Sequence, residues 1–358
     1  MTELDRLPTP AALVDLDRVE ANLRRVATYC RAHGLAWRPH AKTHKALPLG
    51  ERQRAHGAVG LTVATVREAE AFAAVVDDLF LAYPPVGAPR LERLAALPPH
   101  VRLAVGSDHP ASLPPLAELA RRRGRPIDLL VELDVGMGRT GVADLGALIA
   151  LAEAAARSPG LVYRGLFFYP GHVRASLPDQ GPELAALAER LDAAVAALAR
   201  AGLAPEVVSG GSTLTFPRSH ELPHLTEVRP GINVFFDRNS VLRGVATWDD
   251  VAYSVLATVV SVADDRAVVD AGSKALAREE GAAPGYGVLL GQPEVVVRAL
   301  WEEHGVLDLR GTAWRPQLGE RVRVVPNHVC VSVHLQERLW AVREDAAIAA
   351  WEVVRGWS

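Results

Sequence analysis

Short apolar runs alternate with helical patterns over the first two thirds of the chain. The run from Ala11 to Leu16 predicts a strand, and the next pattern predicts a helix capped by Asp17 and ended by Gly34. Eight further strands are predicted at Leu35–His40, Gly60–Val66, Asp78–Tyr83, Val101–Val105, Asp128–Leu133, Tyr163–Tyr169, Glu206–Ser209 and Glu227–Asp237. Among the helical stretches between them, Glu183–Ala201 has its leucines on one stripe.

Eight strands that alternate with helices are the number expected of a TIM barrel. A doubly wound open sheet is the alternative, but such a sheet commonly places a glycine fingerprint after its first strand, and this sequence has none there. The predicted fold class is therefore α/β, with a TIM (β/α)8 barrel.

The pattern changes after about Trp248. The runs there are of β type and are separated by Gly, Pro and Asp: Val251–Val262, Arg266–Asp270, Val295–Leu300 and Arg321–Val325. A single helical pattern follows at Ala346–Val354. We predict a barrel domain over residues 11–244 and a second, β-rich domain over residues 245–358, joined by the N-terminal segment 1–10.

Composition excludes several classes of protein. The chain has 358 residues, of which 49% are hydrophobic and 23% charged, which excludes a disordered protein. A net charge of −3 disfavours a nucleic-acid or acidic-membrane partner, and two cysteines cannot build a disulfide framework. No signal-peptide pattern opens the sequence, and no apolar run is long enough to span a membrane. We expect a cytoplasmic protein.

The carboxyl ends of barrel strands carry the candidate chemistry, because active sites of this fold lie there. The seventh strand ends in Ser209-Gly210-Gly211-Ser212-Thr213, and the eighth is followed by Pro230-Gly231-Ile232. Exposed amides and hydroxyls at these two places form the usual phosphate site of a barrel. The first strand ends among crowded cations around Lys42, and such neighbours depress a lysine pKa, as Schiff-base chemistry requires.

A phosphate-bearing aldehyde with a lysine partner suggests pyridoxal 5′-phosphate, and Arg139 would then face the ring nitrogen. In the second domain, His328 and Cys330 are two apart on a predicted strand, so they project to one face as two metal ligands would. Asn327, His334 or waters would complete such a site. The cluster Glu302-Glu303-His304-Gly305 has no role that its spacing assigns.

Several motifs occur in an order that resembles a known family: RPHAKTHK, DVGMGRTG, YPGH, SGGST, RPGINVFFD, DAGSKAL, EEHG and PNHVC. They resemble the fold-type III pyridoxal-phosphate enzymes, and within these the D-threonine aldolase and D-serine dehydratase family, over nearly the whole chain. The resemblance implies an alanine-racemase-like barrel, a C-terminal β-domain, a homodimer and a divalent metal beside the cofactor.

The resemblance also implies roles for single residues. Lys42 matches the Schiff-base lysine, Arg139 the residue that faces the pyridine nitrogen, and His172 falls near an active-site histidine. The regions that hold the phosphate and ring correspond to Tyr163, Tyr169, Ser212, Thr213, Gly231 and Ile232. His328 and Cys330 match the metal ligands.

Three departures from the family pattern bear on the reaction. Aldolases of the family tend to have an aspartate where Cys330 stands, whereas dehydratase-like members have His-x-Cys and bind zinc. Ile232-Asn233 replaces the more usual Asn/Thr-Tyr pair, and Val331-Ser332 follows the cysteine where a proline is commoner.

The leading hypothesis is elimination from a D-β-hydroxy-α-amino acid such as D-serine, giving a 2-oxo acid and ammonia. Lys42 would remove the α-proton, and a divalent metal (zinc, or manganese or magnesium) would activate the β-hydroxyl. The second hypothesis is D-threonine aldolase-type cleavage to glycine and an aldehyde, with His172 taking the hydroxyl proton. A cofactor carrier without turnover and a racemase that uses Tyr253 or Tyr286 are the third and fourth hypotheses.

Overall fold

The computed structural model of the protein describes residues 4–344 and 346–357. Contacts within the chain divide it into two compact units. The barrel unit comprises Val26–Lys42, Leu47–Gly231 and the residues from Gly356; the sheet unit comprises the residues up to Arg25, Thr43–Ala46 and Ile232–Arg355. The domain boundary predicted at residue 245 stays a prediction. No helix in the described ranges has the length and apolar character needed to cross a bilayer.

The strands of the described residues are, in chain order, β1 (Ala11–Asp15), β2 (Ala36–Trp37), β3 (Leu61–Val63), β4 (Asp78–Leu81), β5 (Arg102–Ser107), β6 (Ile127–Glu132), β7 (Leu161–Phe167), β8 (Val207–Gly210), β9 (Glu227–Val228), β10 (Tyr253–Ala263), β11 (Arg266–Val269), β12 (Gly287–Leu289), β13 (Gln292–Leu300), β14 (Gly305–Asp308), β15 (Arg321–Pro326), β16 (Arg338–Arg343) and β17 (Ala346–Glu352). The α-helices are α1 (Leu16–Ala32), α2 (Leu47–Ala55), α3 (Val66–Phe72), α4 (Ala88–Ala95), α5 (Leu113–Arg123), α6 (Leu145–Arg157), α7 (Gly181–Arg200), α8 (Arg238–Leu242), α9 (Ser273–Leu276) and α10 (Val329–Leu335).

The barrel unit contains the eight parallel strands β2 to β9. They pair in the order β2-β9-β8-β7-β6-β5-β4-β3, and a parallel bridge between His40 and Thr62 joins the two ends of this sheet. The amide of Thr62 donates to the carbonyl of Pro39 at 2.9 Å in the same place. The predicted α/β class and TIM barrel are confirmed, and the predicted helix Glu183–Ala201 corresponds to α7.

The sheet unit contains nine strands in the order β11-β14-β13-β12-β15-β10-β1-β16-β17. A further pairing of β11 with β10 closes the first six of these into a barrel, and β1, β16 and β17 extend the sheet beyond β10. All neighbours are antiparallel except β1 and β16, which are parallel. β1 lies inside this sheet, between β10 and β16. The predicted β-rich second part of the chain is therefore confirmed.

Two predictions at the ends of the chain are wrong. The segment Ala346–Val354 is not a helix but contains β17, whose Trp351 lies opposite Leu339 of β16. Its alanines favour a helix locally, but pairing with β16 satisfies the backbone and overrides that preference. The cap of α1 is Asp15 instead of Asp17, because Asp15 Oδ1 accepts the amide hydrogens of Asp17 and Arg18.

The predicted strand Glu227–Asp237 is much shorter than expected. Only Glu227–Val228 forms β9, since Pro230 has no amide hydrogen to continue the ladder. A turn of 3-10 helix at Ile232–Val234 and then α8 follow. The loop after the eighth barrel strand therefore begins earlier than the sequence predicts.

Candidate active site

The chain contains three lysines, and their surroundings differ. Lys274 is exposed, and its Nζ lies 2.8 Å from Glu302 and 2.6 Å from Glu303, which raise the pKa of its amine. Lys45 is buried. Lys42 is half-buried in a 3-10 turn, Ala41–Thr43, that follows β2, and no carboxylate of the described residues forms an ion pair with it. Lys42 is therefore the lysine best suited to form an imine.

Tyr169 lies between two of the predicted site residues. The Nζ atom of Lys42 is 5.8 Å from the centroid of the Tyr169 ring, and the Cζ atom of Arg139 is 5.0 Å from it. Gly171 leaves room for this ring, because a Cβ atom there would stand 2.4 Å from Tyr169 Cε1. The structure thus brings Lys42, Arg139 and Tyr169 together beyond the carboxyl ends of the barrel strands.

The loop that carries Arg139 is held by one carboxylate. Asp134 Oδ1 accepts the amide hydrogens of Gly136 at 3.0 Å, Met137 at 3.0 Å and Gly138 at 3.2 Å. Burial raises the pKa of Asp134, but these hydrogen bonds outweigh burial and the pKa is lowered. Gly136 and Gly138 have φ of +115° and +64°, which other residues rarely adopt.

His172 packs against this loop. A Cβ atom on Gly136 would lie 3.5 Å from His172 Nε2, which is an ordinary contact distance, so the ring lies directly beside this glycine. Nδ1 of His172 is buried and has no hydrogen-bond partner among the described residues. A ring nitrogen without a partner is free to exchange a proton with a ligand, as the predicted role requires.

The predicted phosphate site contains two buried amides without acceptors. Gly211 and Gly231 are both buried, and within the described part of the chain their amide hydrogens reach no acceptor. Ser212 holds the turn that follows β8, because its amide donates to Thr215 Oγ1 at 3.0 Å and its Oγ accepts the Thr215 amide at 3.2 Å. Thr213 is buried beside it. Buried amides require an acceptor, and phosphate oxygens are suitable ones.

These residues fit pyridoxal phosphate. The barrel unit presents an amine without a carboxylate partner at Lys42, two amides without acceptors at Gly211 and Gly231, and a cation at Arg139, all within the described ranges. Ile232, the next predicted residue, begins a 3-10 turn, and its carbonyl accepts the amide of Phe235 at 2.9 Å.

Tyr163 is not brought to these residues. It is the third residue of β7, whereas Tyr169 lies beyond the carboxyl end of that strand. Its hydroxyl donates to the carbonyl of Leu203 at 3.3 Å, and burial raises its pKa to about 12. The structure therefore gives Tyr163 a contact with the loop before β8 instead of a place near Lys42.

Sequence reasoning missed a buried arginine in the barrel. The guanidinium of Arg229 lies 5.2 Å from the Phe80 ring and 5.1 Å from the Phe167 ring, and its Nη2 donates to the carbonyl of Phe168 at 2.7 Å. Burial lowers its pKa to about 10, although Glu227 and Glu132 oppose this. Its Nε and Nη1 have no partner among the described residues. The sequence signal for Arg229 was an arginine directly after the short, fully buried strand β9.

The predicted metal ligands lie in the sheet unit, but not on a strand. β15 ends at Pro326, His328 is the N-cap of α10, and Cys330 lies in the first turn of α10. His328 Nδ1 is 3.3 Å from Asp237 Oδ2, and Cys330 Sγ donates to Thr43 Oγ1 at 3.4 Å. The expectation of two side chains on one strand face is wrong, because the chain turns into α10 directly after His328.

The neighbours of His328 change the pKa of its imidazole. Burial lowers the pKa of the imidazole, but the neighbouring side chains of Cys330 and Asp237 raise it to about 11. An imidazole and a thiol are ligands that suit zinc. Among the described residues no group of three or more His, Cys, Asp or Glu side chains is arranged around a metal position. His328 and Cys330 can therefore supply two ligands, and other groups must complete the coordination.

Asn327 does not complete the metal site. Its Nδ2 donates to the carbonyls of Glu279 at 3.0 Å and Gly285 at 2.7 Å, and its Oδ1 accepts from Arg238 at 3.0 Å. These contacts use both ends of the buried amide. His334 lies in α10, four residues beyond Cys330. Within the described residues, neither Cys30 nor Cys330 takes part in a disulfide.

The fold and the lysine site define a class: barrel enzymes with an alanine-racemase-like N-terminal part and a second β-rich part. A family model described as "Alanine racemase, N-terminal domain" matches residues 14–239, and one described as "Putative serine dehydratase domain" matches residues 252–342. The chain belongs to the fold-type III pyridoxal-phosphate family of D-threonine aldolase and D-serine dehydratase. It is a lyase of D-hydroxy amino acids.

Two relatives and one solved structure illustrate the similarity. A D-threonine aldolase of Arthrobacter sp. is 34% identical over 99% of this chain and 94% of the relative. A D-threo-3-hydroxyaspartate dehydratase of Delftia sp. is 36% identical over 98% of both. A cysteine-to-alanine mutant of a D-threo-3-hydroxyaspartate dehydratase, solved in the metal-free form, covers 100% of both chains with 35% identity and a TM-score of 0.88.

Proposed function

We propose that this protein is a dehydratase that eliminates water from D-β-hydroxy-α-amino acids such as D-serine, giving a 2-oxo acid and ammonia. The observation that carries the choice is the pair His328 and Cys330, held in the sheet unit where dehydratase-like members have His-x-Cys. The match of residues 252–342 to a serine dehydratase domain and the 36% identity to a hydroxyaspartate dehydratase support it.

In this proposal the barrel unit binds pyridoxal phosphate. Lys42 would hold the aldehyde carbon, the amides of Gly211 and Gly231 the phosphate, and Arg139 would face the ring nitrogen. When bound, the cofactor acidifies the α-hydrogen of the amino acid. Lys42 would be the base that takes this hydrogen, since no carboxylate in the described ranges pairs with its amine.

His328 and Cys330 would hold a zinc ion, with manganese or magnesium less suited to a thiolate. The ion would supply Lewis acidity for departure of the β-hydroxyl. The metal-free form of a related dehydratase agrees with a metal in this family. We also propose that the protein is a cytoplasmic homodimer whose partner is a small D-amino acid, with neither nucleic acid nor membrane as a ligand.

The second candidate is retro-aldol cleavage of D-threonine-like substrates to glycine and an aldehyde. The 34% identity to a D-threonine aldolase favours it, as does the buried Nδ1 of His172 without a partner among the described residues, which can accept the proton of a β-hydroxyl. Both reactions use the same lysine. They differ in whether the β-carbon loses its oxygen or its bond to the α-carbon.

The racemase and the cofactor carrier both lose support. A racemase would need an accessible tyrosine in the sheet unit, but Tyr253 is buried, its hydroxyl is 2.8 Å from Ser332 Oγ, and burial raises its pKa. Tyr286 is half-buried, and its ring lies 5.9 Å from the guanidinium of Arg278. A cofactor carrier would not need the nine-stranded sheet.

The discriminating experiment is a product analysis. The protein, reconstituted with pyridoxal phosphate and zinc, is mixed with D-serine, 3-hydroxy-D-aspartate and D-threonine in separate reactions. We expect a 2-oxo acid and ammonia in equal amounts, and loss of that activity after chelation. Glycine with an aldehyde as the main products would favour the aldolase instead, and L-serine from D-serine would favour the racemase.

A further inference from the structure

A buried carboxylate, Asp237, contacts one of the predicted metal ligands. Asp237 is only 1% exposed and is the N-cap of α8. Its Oδ2 atom lies 3.3 Å from His328 Nδ1 and accepts the amide hydrogen of Val329 at 3.1 Å. Its Oδ1 atom accepts the amide of Ser240 at 2.9 Å and the Ser240 hydroxyl at 2.6 Å. Both oxygens are therefore fixed by neighbours within the sheet unit.

This arrangement selects one tautomer of His328. The carboxylate only accepts hydrogen bonds, so the ring nitrogen facing it must carry a hydrogen. In a neutral imidazole the lone pair then lies on Nε2, which is the nitrogen left to bind a metal. Because Asp237 is anchored from Ser240 and Val329, it also limits rotation of the ring.

We propose that Asp237 is a positioning residue that holds His328 with Nε2 ready to bind the metal. This inference rests on the proposed metal site, and it goes further by giving a role to a residue to which the sequence motifs assign none. The competing interpretation is that Asp237 serves only as the cap of α8. The two interpretations differ in whether removal of its charge changes metal binding.

Asp237→Asn separates the two interpretations. Asparagine is a good N-cap and preserves the size of the side chain, but it removes the charge and replaces one oxygen with a donor. Partners that orient a metal-bound histidine typically contribute 10–100-fold to affinity. We therefore expect Asp237→Asn to bind zinc roughly 10–100-fold more weakly than the wild type.

The matched control is Asp250→Asn. Asp250 is also a nearly buried aspartate of the sheet unit, and its Oδ2 accepts the amide and hydroxyl of Thr247 in a capping box. Its Oδ1 pairs with Arg25 and not with a predicted metal ligand, so its replacement removes the charge of a carboxylate from a capping box and an ion pair, and from no contact with His328 or Cys330. We expect Asp250→Asn to lower thermal stability and to leave the zinc dissociation constant unchanged.

The measurement is zinc binding to the purified protein loaded with pyridoxal phosphate, by equilibrium dialysis with metal analysis. Cobalt added in place of zinc gives visible d–d bands that report the coordination geometry. Weaker zinc binding and altered cobalt bands in Asp237→Asn alone support the proposal. Equal affinity and equal bands in Asp237→Asn and the wild type overturn it and leave the metal site standing. A wild type whose metal content matches that of Cys330→Ala overturns the metal site and the role of Asp237 together.

Discussion

At the residue scale, the environment of a side chain decides which of several identical groups can do chemistry. Two of the three lysines show this. The Lys274 amine forms ion pairs with Glu302 and Glu303. The Lys42 amine lies 5.8 Å from the centroid of the Tyr169 ring and has no carboxylate partner among the described residues. An amine with a raised pKa remains protonated and is a poor nucleophile. The difference between these lysines can be tested directly.

We expect Lys42→Ala to abolish the absorbance band of the protein-bound cofactor, because the imine needs this amine. Lys274→Ala is the matched control and should retain the band, since it removes only an exposed amine paired with two carboxylates. Absorbance after reconstitution gives the first readout. Borohydride reduction followed by peptide mapping gives the second, and a label on Lys45 or Lys274 would contradict the assignment of Lys42.

At the element scale, the EEHG cluster that sequence spacing leaves without a role proves to be a structural partner of α9. The amide of Ser273 donates to the carbonyl of Trp301 at 2.7 Å, and the amide of Lys274 donates to that of Glu302 at 3.1 Å. Gly272 stands where these two loops meet, and a Cβ atom there would lie 2.4 Å from both carbonyl oxygens. Because these carbonyl oxygens lie so close to its Cα, position 272 has no room for a side chain and is occupied by glycine.

We expect Gly272→Ala to lower the free energy of unfolding by about 1–3 kcal/mol, because backbone atoms have to shift to accept the methyl group. Gly181→Ala is the control. Gly181 begins α7, and apart from its chain neighbours and its own helix no described residue has an atom within 4 Å of the added Cβ. The change should be neutral or stabilise by up to about 1 kcal/mol. Urea unfolding of both variants gives the comparison. Equal free energies of unfolding for the two variants would show that the segments around Gly272 and Trp301 move apart at little cost.

The elements also show which predictions the sequence supports. The barrel strands follow from short apolar runs between helices, and Lys42, Arg139, Tyr169 and Gly211 follow from the rule that barrel chemistry lies at the carboxyl ends of strands. Two features could not be predicted from the sequence pattern. β17 depends on pairing with β16, and the turn at His328 depends on contacts with Asp237. Arg229 and Asp237 are missed because their partners are far away in the sequence.

At the scale of the whole molecule, the sheet unit is assembled from distant parts of the chain. β1 pairs antiparallel with β10 and parallel with β16, so residues near the start of the sequence complete a sheet formed mostly after residue 250. Leu13 of β1 packs with Leu256 and Val342 in the core of this sheet. The sheet depends on β1 for both hydrogen bonds and core contacts, although β1 precedes the barrel strands.

We expect a fragment of residues 245–357 to aggregate or remain unfolded, because without β1 the strands β10 and β16 each present an unpaired edge and an uncovered core. Joining residues 4–25 to residues 232–357 through a flexible Gly/Ser linker should restore β1 and yield a soluble, folded product. Circular dichroism, with cooperative thermal unfolding as the criterion, compares the two chains. If the fragment without β1 unfolds cooperatively, the sheet closes without its first strand, and the domain division predicted at residue 245 describes an independent folding unit after all.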